Sequence, residues 1–346
     1  MILFLFLLGL GLLFLGGEWL VRGASRLAVN MGISPLVVGL TVVAFATSAP
    51  ELAVSLQAAI AGQSDIAIGN VVGSNISNIL LILGASALVA PLVVARQIIR
   101  IDVPMMIAAA GLVYAMGLDG AVSRAEGIAL LVLLAAYLTM AIRASQPQSA
   151  PAGLTRQPIY KDIALVIGGV TMLVVGANWL VDGAVTMARL LGINELIIGL
   201  TVIAVGTSLP ELATSIIATR RGERDIAVGN VVGSNIFNVL AVLGLTAIFA
   251  PAGVPVPAAA LAFDFPVMLT ASVACLPIFL RGHEIARWEG AIFFGYYIAY
   301  TVYLLLNASR HAALPLYSTA MLWFVIPLTV ITVLIILYRE LRQSRP

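Results

Sequence analysis

Two apolar stretches of this 346-residue chain each carry a cluster of oxygen-bearing side chains. The stretches are GLTVVAFATSAPELAVS (39–55) and GLTVIAVGTSLPELATS (199–215). In each, a threonine, a serine and a glutamate stand at positions i, i+1 and i+4, which aligns three oxygens along one helical face. These residues are Thr47, Ser48 and Glu51 in the first stretch, and Thr207, Ser208 and Glu211 in the second. A proline directly precedes each glutamate and predicts a weakened helix, because proline has no N–H to donate.

A second pair of stretches follows, DIAIGNVVGSNISNILLILG (65–84) and DIAVGNVVGSNIFNVLAVLG (225–244). Each places a serine and an asparagine at i, i+4 on one helical face. These residues are Ser74 and Asn78 in the first, and Ser234 and Asn238 in the second. Amide and hydroxyl oxygens therefore add to those of the glutamate stretches.

The chemistry of these groups favours a site for a hard cation. A carboxylate inside a membrane costs about 2.5–3.5 kcal/mol, so two glutamates need a compensating role. One alternative is a pair of protonated glutamates that only stabilise helix packing. The other is a cage of hard oxygens, which suits Ca²⁺ and Na⁺, whereas zinc, copper and iron prefer the histidine and cysteine ligands that are missing nearby. Ca²⁺ and Na⁺ are therefore the ions expected at this site, and no resident cofactor is expected.

The elements that carry these residues are membrane spans. The chain is 61% hydrophobic and only 10% charged, which excludes a soluble enzyme and a nucleic-acid-binding protein. Its single cysteine excludes an internal disulfide framework. Hydropathy and turn residues predict eleven spans, at about 2–21, 36–59, 66–90, 102–119, 124–143, 161–182, 195–218, 226–249, 262–280, 285–306 and 315–338.

An internal repeat organises the spans. Residues 16–84 align with 176–244 without a gap, and 39 of the 69 positions are identical. Five spans precede the second copy, so the copies enter the membrane from opposite sides, as in many secondary transporters. We predict an all-α polytopic membrane protein, an inverted repeat of five plus five transmembrane helices with an extra C-terminal helix. Its parts are 1–143 (first repeat), 144–160 (cytoplasmic linker), 161–306 (second repeat) and 307–346 (extra helix and tail).

The basic residues predict the orientation. With the N-terminus outside, all of the lysines and arginines fall on the inner side except Arg124, Arg189 and Arg310. The positive-inside rule then places the C-terminus in the cytoplasm. We expect a multi-pass protein of the plasma (inner) membrane whose surroundings are the lipid bilayer.

Several acidic residues outside the clusters are expected to have structural roles. We expect helix caps at Asp65, Asp225, Asp102 and Asp264, which stand near predicted helix starts. Glu18 has Asn178 as its repeat mate, and it is expected to extend to the membrane surface or to support the site.

The doubled motifs G-[TS]-S-x-P-E and G-N-V-V-G-S-N-I-x-N resemble the α-repeats of the cation/Ca²⁺ exchanger superfamily, above all its prokaryotic Na⁺/Ca²⁺ antiporter branch. The resemblance covers residues 1–306 and implies a ten-helix core in which the first and sixth helices slide past the ion site. It also implies the ligands: Thr47, Ser48, Glu51, Ser74 and Asn78 with Thr207, Ser208, Glu211, Ser234 and Asn238, and the backbone carbonyls of Ala44 and Ala204. Some members carry aspartate at one of the positions of Asn78 and Asn238, whereas both are asparagine here.

The resemblance and the oxygen cage together predict an antiporter that exchanges Na⁺ for Ca²⁺ by alternating access. A Ca²⁺/H⁺ exchanger with the same glutamates as proton carriers is the nearest alternative, followed by a cation channel or a non-transporting sensor. Hydrolase and nucleotide-binding motifs are missing, so enzyme activity is not expected. Neither nucleic acid nor an obligate protein partner is expected.

Overall fold

The computed structural model describes residues 2–144, 158–193, 195–198, 201–202 and 204–343. Nearly all of them are helical. The α-helices of the first half are α1 (Ile2–Met31), α2 (Pro35–Val38), α3 (Ala44–Thr47), α4 (Ala49–Ile60), α5 (Ser64–Ser77), α6 (Gly84–Val89), α7 (Val103–Gly117) and α8 (Arg124–Ala144). Those that follow are α9 (Ile159–Leu190), α10 (Glu195–Ile198), α11 (Ala204–Gly206), α12 (Leu209–Arg220), α13 (Arg224–Phe237), α14 (Leu243–Phe249), α15 (Phe265–Leu280), α16 (Arg287–Ala308), α17 (Leu314–Ala320) and α18 (Ile326–Gln343).

Short π-helical segments continue several of these helices, because a single extra residue is accommodated in one wider turn. They are Gly39–Val43, Asn78–Leu83, Ile98–Asp102, Asn238–Val242, Ala260–Asp264 and Met321–Val325. Asn78–Leu83 of the first half corresponds in place to Asn238–Val242 of the second. Ile98–Asp102 likewise corresponds to Ala260–Asp264. The repeat seen in the sequence therefore extends to local backbone geometry.

The predicted membrane spans are confirmed as a class. Among the described residues, nine helices are long and apolar enough to cross a membrane, and Pro35–Thr47 with Ala49–Ile60 forms a further, bent span. Part of the predicted span 195–218, namely residues 199, 200 and 203, could not be compared with the structure. The same holds for residues 145–157, which make up most of the predicted linker. These residues lie outside the described part of the chain.

The first and sixth spans are longer than predicted. We expected them to end at 21 and 182, but α1 continues to Met31 and α9 to Leu190. Arg22, which we expected in a loop, therefore lies on a helix. Hydropathy detects where apolar composition ends, whereas a helix continues for as long as its backbone and its neighbours support it.

Four glycines bring α1 and α9 into contact along a seam of backbone atoms. A Cβ atom added to Gly9 would lie 2.7 Å from the carbonyl oxygen of Gly176, and one added to Gly16 would lie 2.7 Å from that of Gly169. The repeat offset relates Gly9 to Gly169 and Gly16 to Gly176. The two contacts are therefore related by pseudo-twofold symmetry, and only residues without a Cβ permit this distance between the helices.

The two halves interlock beyond this seam. Helix α6 of the first half packs on α16 of the second, and α14 of the second packs on α8 of the first. Two-residue strands join the loops in the same crossed pattern, since β1 (Leu92–Val93) pairs with β4 (Glu284–Ile285) and β2 (Ala121–Val122) with β3 (Val254–Pro255), both antiparallel. The core is therefore shared between the halves.

The expected aspartate caps are wrong. Asp102 and Asp264 end π-helical segments that begin four residues earlier, so they lie inside the helix. Asp102 accepts a hydrogen bond from the hydroxyl of Tyr137 (3.0 Å), and Asp264 accepts one from Tyr300 (2.9 Å). Asp65 and Asp225 lie within the first turn of α5 and α13 rather than at the N-cap, where acidic side chains still interact favourably with the helix dipole.

Candidate functional site

A break in the second span sets the geometry of the glutamate cluster. Helix α3 ends at Thr47 and α4 begins at Ala49, and the two are bent by 43° at Ser48. The predicted weakening by proline is confirmed, because the helix is interrupted just before Pro50. Pro50 stands in the first turn of α4, where a helix tolerates a residue without an N–H. In the second half, Ser208 is the corresponding junction before α12, with Pro210 in its first turn.

Glu51 and Glu211 are buried and lie near each other, each in the first turn of the helix that follows its break. They are 1% and 0% exposed, and their carboxyl groups are close enough to interact. The hydroxyl of Ser48 donates to Oε1 of Glu211 at 3.4 Å. The hydroxyl of Thr207 likewise lies beside the carboxylate of Glu51. Each glutamate therefore faces the hydroxyl groups of the opposite half.

The helices α5 and α13 supply the second layer of oxygens. The hydroxyl of Ser74 lies beside Glu51, and that of Ser234 lies 3.5 Å from the hydroxyl of Thr47. Asn78 and Asn238 are each buried at the start of a π-helical segment. Helix α4 packs against the segment that begins at Asn238, and α12 packs against the one that begins at Asn78. The elements that carry all ten side chains therefore meet in one region between the halves.

The two backbone carbonyls implied by the resemblance have different surroundings. The carbonyl of Ala44 accepts from the N–H of Ser48 at 3.0 Å, and the hydroxyl of Thr47 lies 3.3 Å away. A cation bound there would share an oxygen that already has donors. In the second half, the N–H of Ser208 donates to the carbonyl of Val205 at 3.1 Å, so it does not occupy the carbonyl of Ala204.

Two asparagines that the sequence analysis did not select support the glutamates. The amide of Asn70 donates to the carbonyl of Glu51 at 3.0 Å and to the hydroxyl of Ser55 at 2.8 Å. Asn230 repeats both contacts in the other half, with the carbonyl of Glu211 at 3.4 Å and the hydroxyl of Ser215 at 3.0 Å. Both asparagines lie one helical turn before the serine of their motif. That spacing could have revealed them.

Asn230 also connects the two halves. Its Oδ1 accepts from the hydroxyl of Thr47 at 3.1 Å, while its amide group holds the opposite side of the site. Its own side chain is fully buried. Asn230 therefore fixes the position of a threonine from one half relative to the glutamate helix of the other.

Several buried polar groups of the site have no hydrogen-bond partner among the described residues. They include both carboxylate oxygens of Glu51, Oε2 of Glu211, and the side-chain amides of Asn78 and Asn238. Leaving such a group unpaired costs about 1–3 kcal/mol, and more when it is charged. Two carboxylates and a surrounding set of hydroxyl and amide oxygens are the donors that Ca²⁺ and Na⁺ accept, so the residues present fit a hard cation as substrate.

Comparison with known proteins gives one consistent result. The family model described as "Sodium/calcium exchanger protein" matches residues 1–143 and 161–306. The putative antiporter CaxA of Alkalimonas amylolytica is 42% identical over 87% of this chain and 98% of its own length. The sodium/calcium exchanger MaX1 of Methanosarcina acetivorans is 35% identical over 86% of this chain and 97% of its own.

A solved structure is similar over the same region. The sodium-calcium exchanger NCX_Mj has a TM-score of 0.75 and 33% identity, and the match covers 86% of this chain and 96% of that protein. This match confirms the predicted fold class. Residues 307–346, with the extra C-terminal helix, lie outside the ranges of the family model.

Proposed function

This chain belongs to the sodium/calcium exchanger family, and from that premise we propose that it exchanges Na⁺ for Ca²⁺ across the membrane by alternating access. The observation that carries the proposal is the pair of buried glutamates, Glu51 and Glu211, which approach each other from opposite halves with unpaired carboxylate oxygens. The proposed ligands are these two carboxylates with the hydroxyl and amide side chains around them and the carbonyls of Ala44 and Ala204.

Competition for one site is sufficient for exchange. Two carboxylates carry a charge that one Ca²⁺ or two Na⁺ ions neutralise, and a third Na⁺ can be held by the uncharged oxygens. Because the cage is built from the same residues for both ions, Ca²⁺ and Na⁺ exclude each other. If the site opens to one side at a time, the release of one ion on each side permits the other to bind.

The Na⁺ gradient supplies enough free energy for Ca²⁺ extrusion. A tenfold gradient supplies about 1.4 kcal/mol per Na⁺ ion. Three Na⁺ for one Ca²⁺ also moves a net charge, which adds about 2.3 kcal/mol per 100 mV. The total of about 6.5 kcal/mol sustains a Ca²⁺ ratio above about 10⁴. Two Na⁺ ions give only about 2.8 kcal/mol and a ratio near 10².

A Ca²⁺/H⁺ exchanger is the second candidate, because the same two glutamates are able to carry protons. The exchangers of known structure and sequence that resemble this chain include two that are named for sodium and calcium, which favours Na⁺ as the counter-ion. The threonine-serine pairs next to both glutamates also favour Na⁺, since they add neutral oxygen ligands that a proton does not need.

Radioactive Ca²⁺ uptake into proteoliposomes tests the proposal. Vesicles loaded with Na⁺ are compared with vesicles that carry only a pH gradient. We expect uptake driven by outward Na⁺, and its loss in Glu51→Gln and in Glu211→Gln. Uptake driven only by the pH gradient would establish H⁺ as the counter-ion. Conductance without coupling to Na⁺ would indicate a channel, and Ca²⁺ binding without flux would indicate a sensor.

Variants of surface glutamates provide the matched control. Glu126 lies at the exposed start of α8, where it accepts from Ser123 (2.8 Å). Glu126→Gln removes one carboxylate from the chain but leaves the cage intact, so Na⁺-driven uptake should remain. Equal loss in Glu126→Gln and in Glu51→Gln would contradict the assigned site.

The same proposal includes the orientation with the N-terminus outside and the C-terminus in the cytoplasm of a cell whose inner membrane holds the protein. Its support is the distribution of arginines between the loops. A C-terminal fluorescent-protein fusion that matures only in the cytoplasm should be fluorescent. A dark fusion with a normally folded transporter would reverse the orientation.

A further inference from the structure

An ion pair connects α1 to the end of α12, away from the cation site. The carboxylate of Glu18, in α1, pairs with the guanidinium of Arg221, the residue that follows α12. The side chain of Glu18 is 25% exposed and that of Arg221 is 31% exposed. The pair therefore lies at an edge of the contact between the two helices, where water reaches it.

The helices are closely packed next to the pair. Gly17, beside Glu18, faces Ile217 on α12, and a Cβ atom at Gly17 would lie 2.4 Å from Cδ1 of Ile217. Ile217 is only 5% exposed because α1 covers it. Exposure of Ile217 therefore reports whether α1 lies against α12.

The symmetry-related positions, on α9 and just after α4, have no equivalent ion pair. At the repeat offset, Glu18 corresponds to Asn178 and Arg221 corresponds to Ala61. Neither counterpart is charged, and both are exposed. The threonine, serine, proline and glutamate of the cation site are repeated in both halves, whereas the ion pair is not.

We propose that Glu18 and Arg221 are positioning residues that hold α1 against α12 and thereby favour one of the two alternating conformations. The inference rests on the proposed function. In an inverted repeat, the two conformations exchange the roles of the two halves. An ion pair at only one of the two symmetry-related contacts stabilises only the conformation in which that contact is closed. The two conformations of this chain therefore differ in stability by the contribution of the ion pair.

The size of the bias follows from the exposure of the pair. Ion pairs that are partly open to water make small contributions, which correspond to a factor of up to about five between two conformations. We therefore expect removal of the pair to change the conformational ratio about two- to fivefold. A change of this size alters transport kinetics and leaves both conformations populated.

Cysteine labelling measures the ratio without requiring transport. The Ile217→Cys variant is prepared in a Cys275→Ala background, which removes the single native cysteine, and is labelled in lipid vesicles with a water-soluble maleimide. Adding Glu18→Gln should raise the labelling rate about two- to fivefold, because α1 leaves α12 more often. The charge-swapped double variant Glu18→Arg with Arg221→Glu should restore the original rate.

The repeat supplies a matched control in which the ion pair is moved to the symmetry-related positions. Asn178→Glu combined with Ala61→Arg places the same ion pair at the symmetry-related positions, on α9 and after α4, and stabilises the other conformation. Labelling of Cys at 217 should then increase although Glu18 and Arg221 are both present. The same shift should be visible in Ca²⁺ uptake. The half-saturating Ca²⁺ concentration should rise on one membrane face and fall on the other.

Two outcomes would overturn the inference. One is an unchanged labelling rate in Glu18→Gln, and the other is a charge swap that labels as fast as Glu18→Gln. Both concern conformation only. Failure of the proposed function would instead be seen in the wild type, as Ca²⁺ uptake that does not respond to Na⁺.

Discussion

The glycine seam between α1 and α9 gives the sharpest test of the packing. In Gly16→Ala, the new Cβ would lie 2.7 Å from the carbonyl oxygen of Gly169 and 2.9 Å from the backbone N of Leu173. Contacts between such atoms are comfortable only near about 3.5 Å. The helices must therefore separate by about 0.8 Å, because backbone atoms cannot rotate out of the way as a side chain can.

The expected cost of that separation is about 1–3 kcal/mol, the usual range for overpacking a well-packed interface. The control is Gly11→Ala on the same helix, where nothing lies within 4 Å of the added Cβ. There the alanine should be neutral or should stabilise the helix by up to about 1 kcal/mol, because glycine is the poorer helix former.

The assay is thermal unfolding of both variants in the same detergent, followed by helical circular dichroism, with Na⁺-driven Ca²⁺ uptake measured in parallel. Gly16→Ala should unfold at a lower temperature than the wild type and should transport more slowly, while Gly11→Ala should match the wild type or exceed its midpoint. Equal midpoints for the two variants would refute backbone-to-backbone packing at this seam.

Three further predictions concern polar groups near the site. Asn230→Ala should destabilise the protein by about 2–4 kcal/mol and Asn70→Ala by less, because Asn230 also accepts from the opposite half; equal unfolding midpoints would contradict this. Tyr137→Phe removes the hydroxyl that donates to buried Asp102 and should lower the free energy of unfolding by about 1–3 kcal/mol, whereas an unchanged midpoint would show that Asp102 has another donor. Asn238→Asp adds a third carboxylate and should favour Ca²⁺ over Na⁺ in competition, so an unaltered competition curve would remove Asn238 from the ligand set.

Many features of the molecule could be predicted because they depend on short sequence motifs, and these motifs occur twice. The doubled motifs identified Glu51 and Glu211, the proline break and the family, and the structure brings the two glutamates together from opposite halves. Whether the surrounding oxygens bind the cation stays a prediction. Helical spacing was a sound guide here, since residues four apart share one face whatever the rest of the fold does.

The remaining features depend on contacts that no local pattern encodes. Asp102 was predicted as a cap because a proline follows it closely, but its partner Tyr137 comes from the next helix, 35 residues later. The length of α1 depends on α9, which still contacts it beyond the apolar run: a Cβ atom added to Gly23 would lie 3.0 Å from the carbonyl oxygen of Asp162, and the amide of Asn30 donates to the carboxylate of Asp162. Asn70 has the same spacing as the selected serine and asparagine, and it was missed because its partner Ser55 lies on another helix.

The crossed strand pairs restrict the order in which the parts of the chain can fold. β1 and β2 come from the first half, and their partners β4 and β3 come from the second. When the ribosome has finished only the first half, two strand edges and the faces of α6 and α8 have nothing to pair with. These contacts can therefore form only after α16 has been synthesised and inserted, so the core is completed late in synthesis. The same arrangement is that of a two-fold dimer whose subunits have been joined into one polypeptide, with a self-complementary interface that each half repeats.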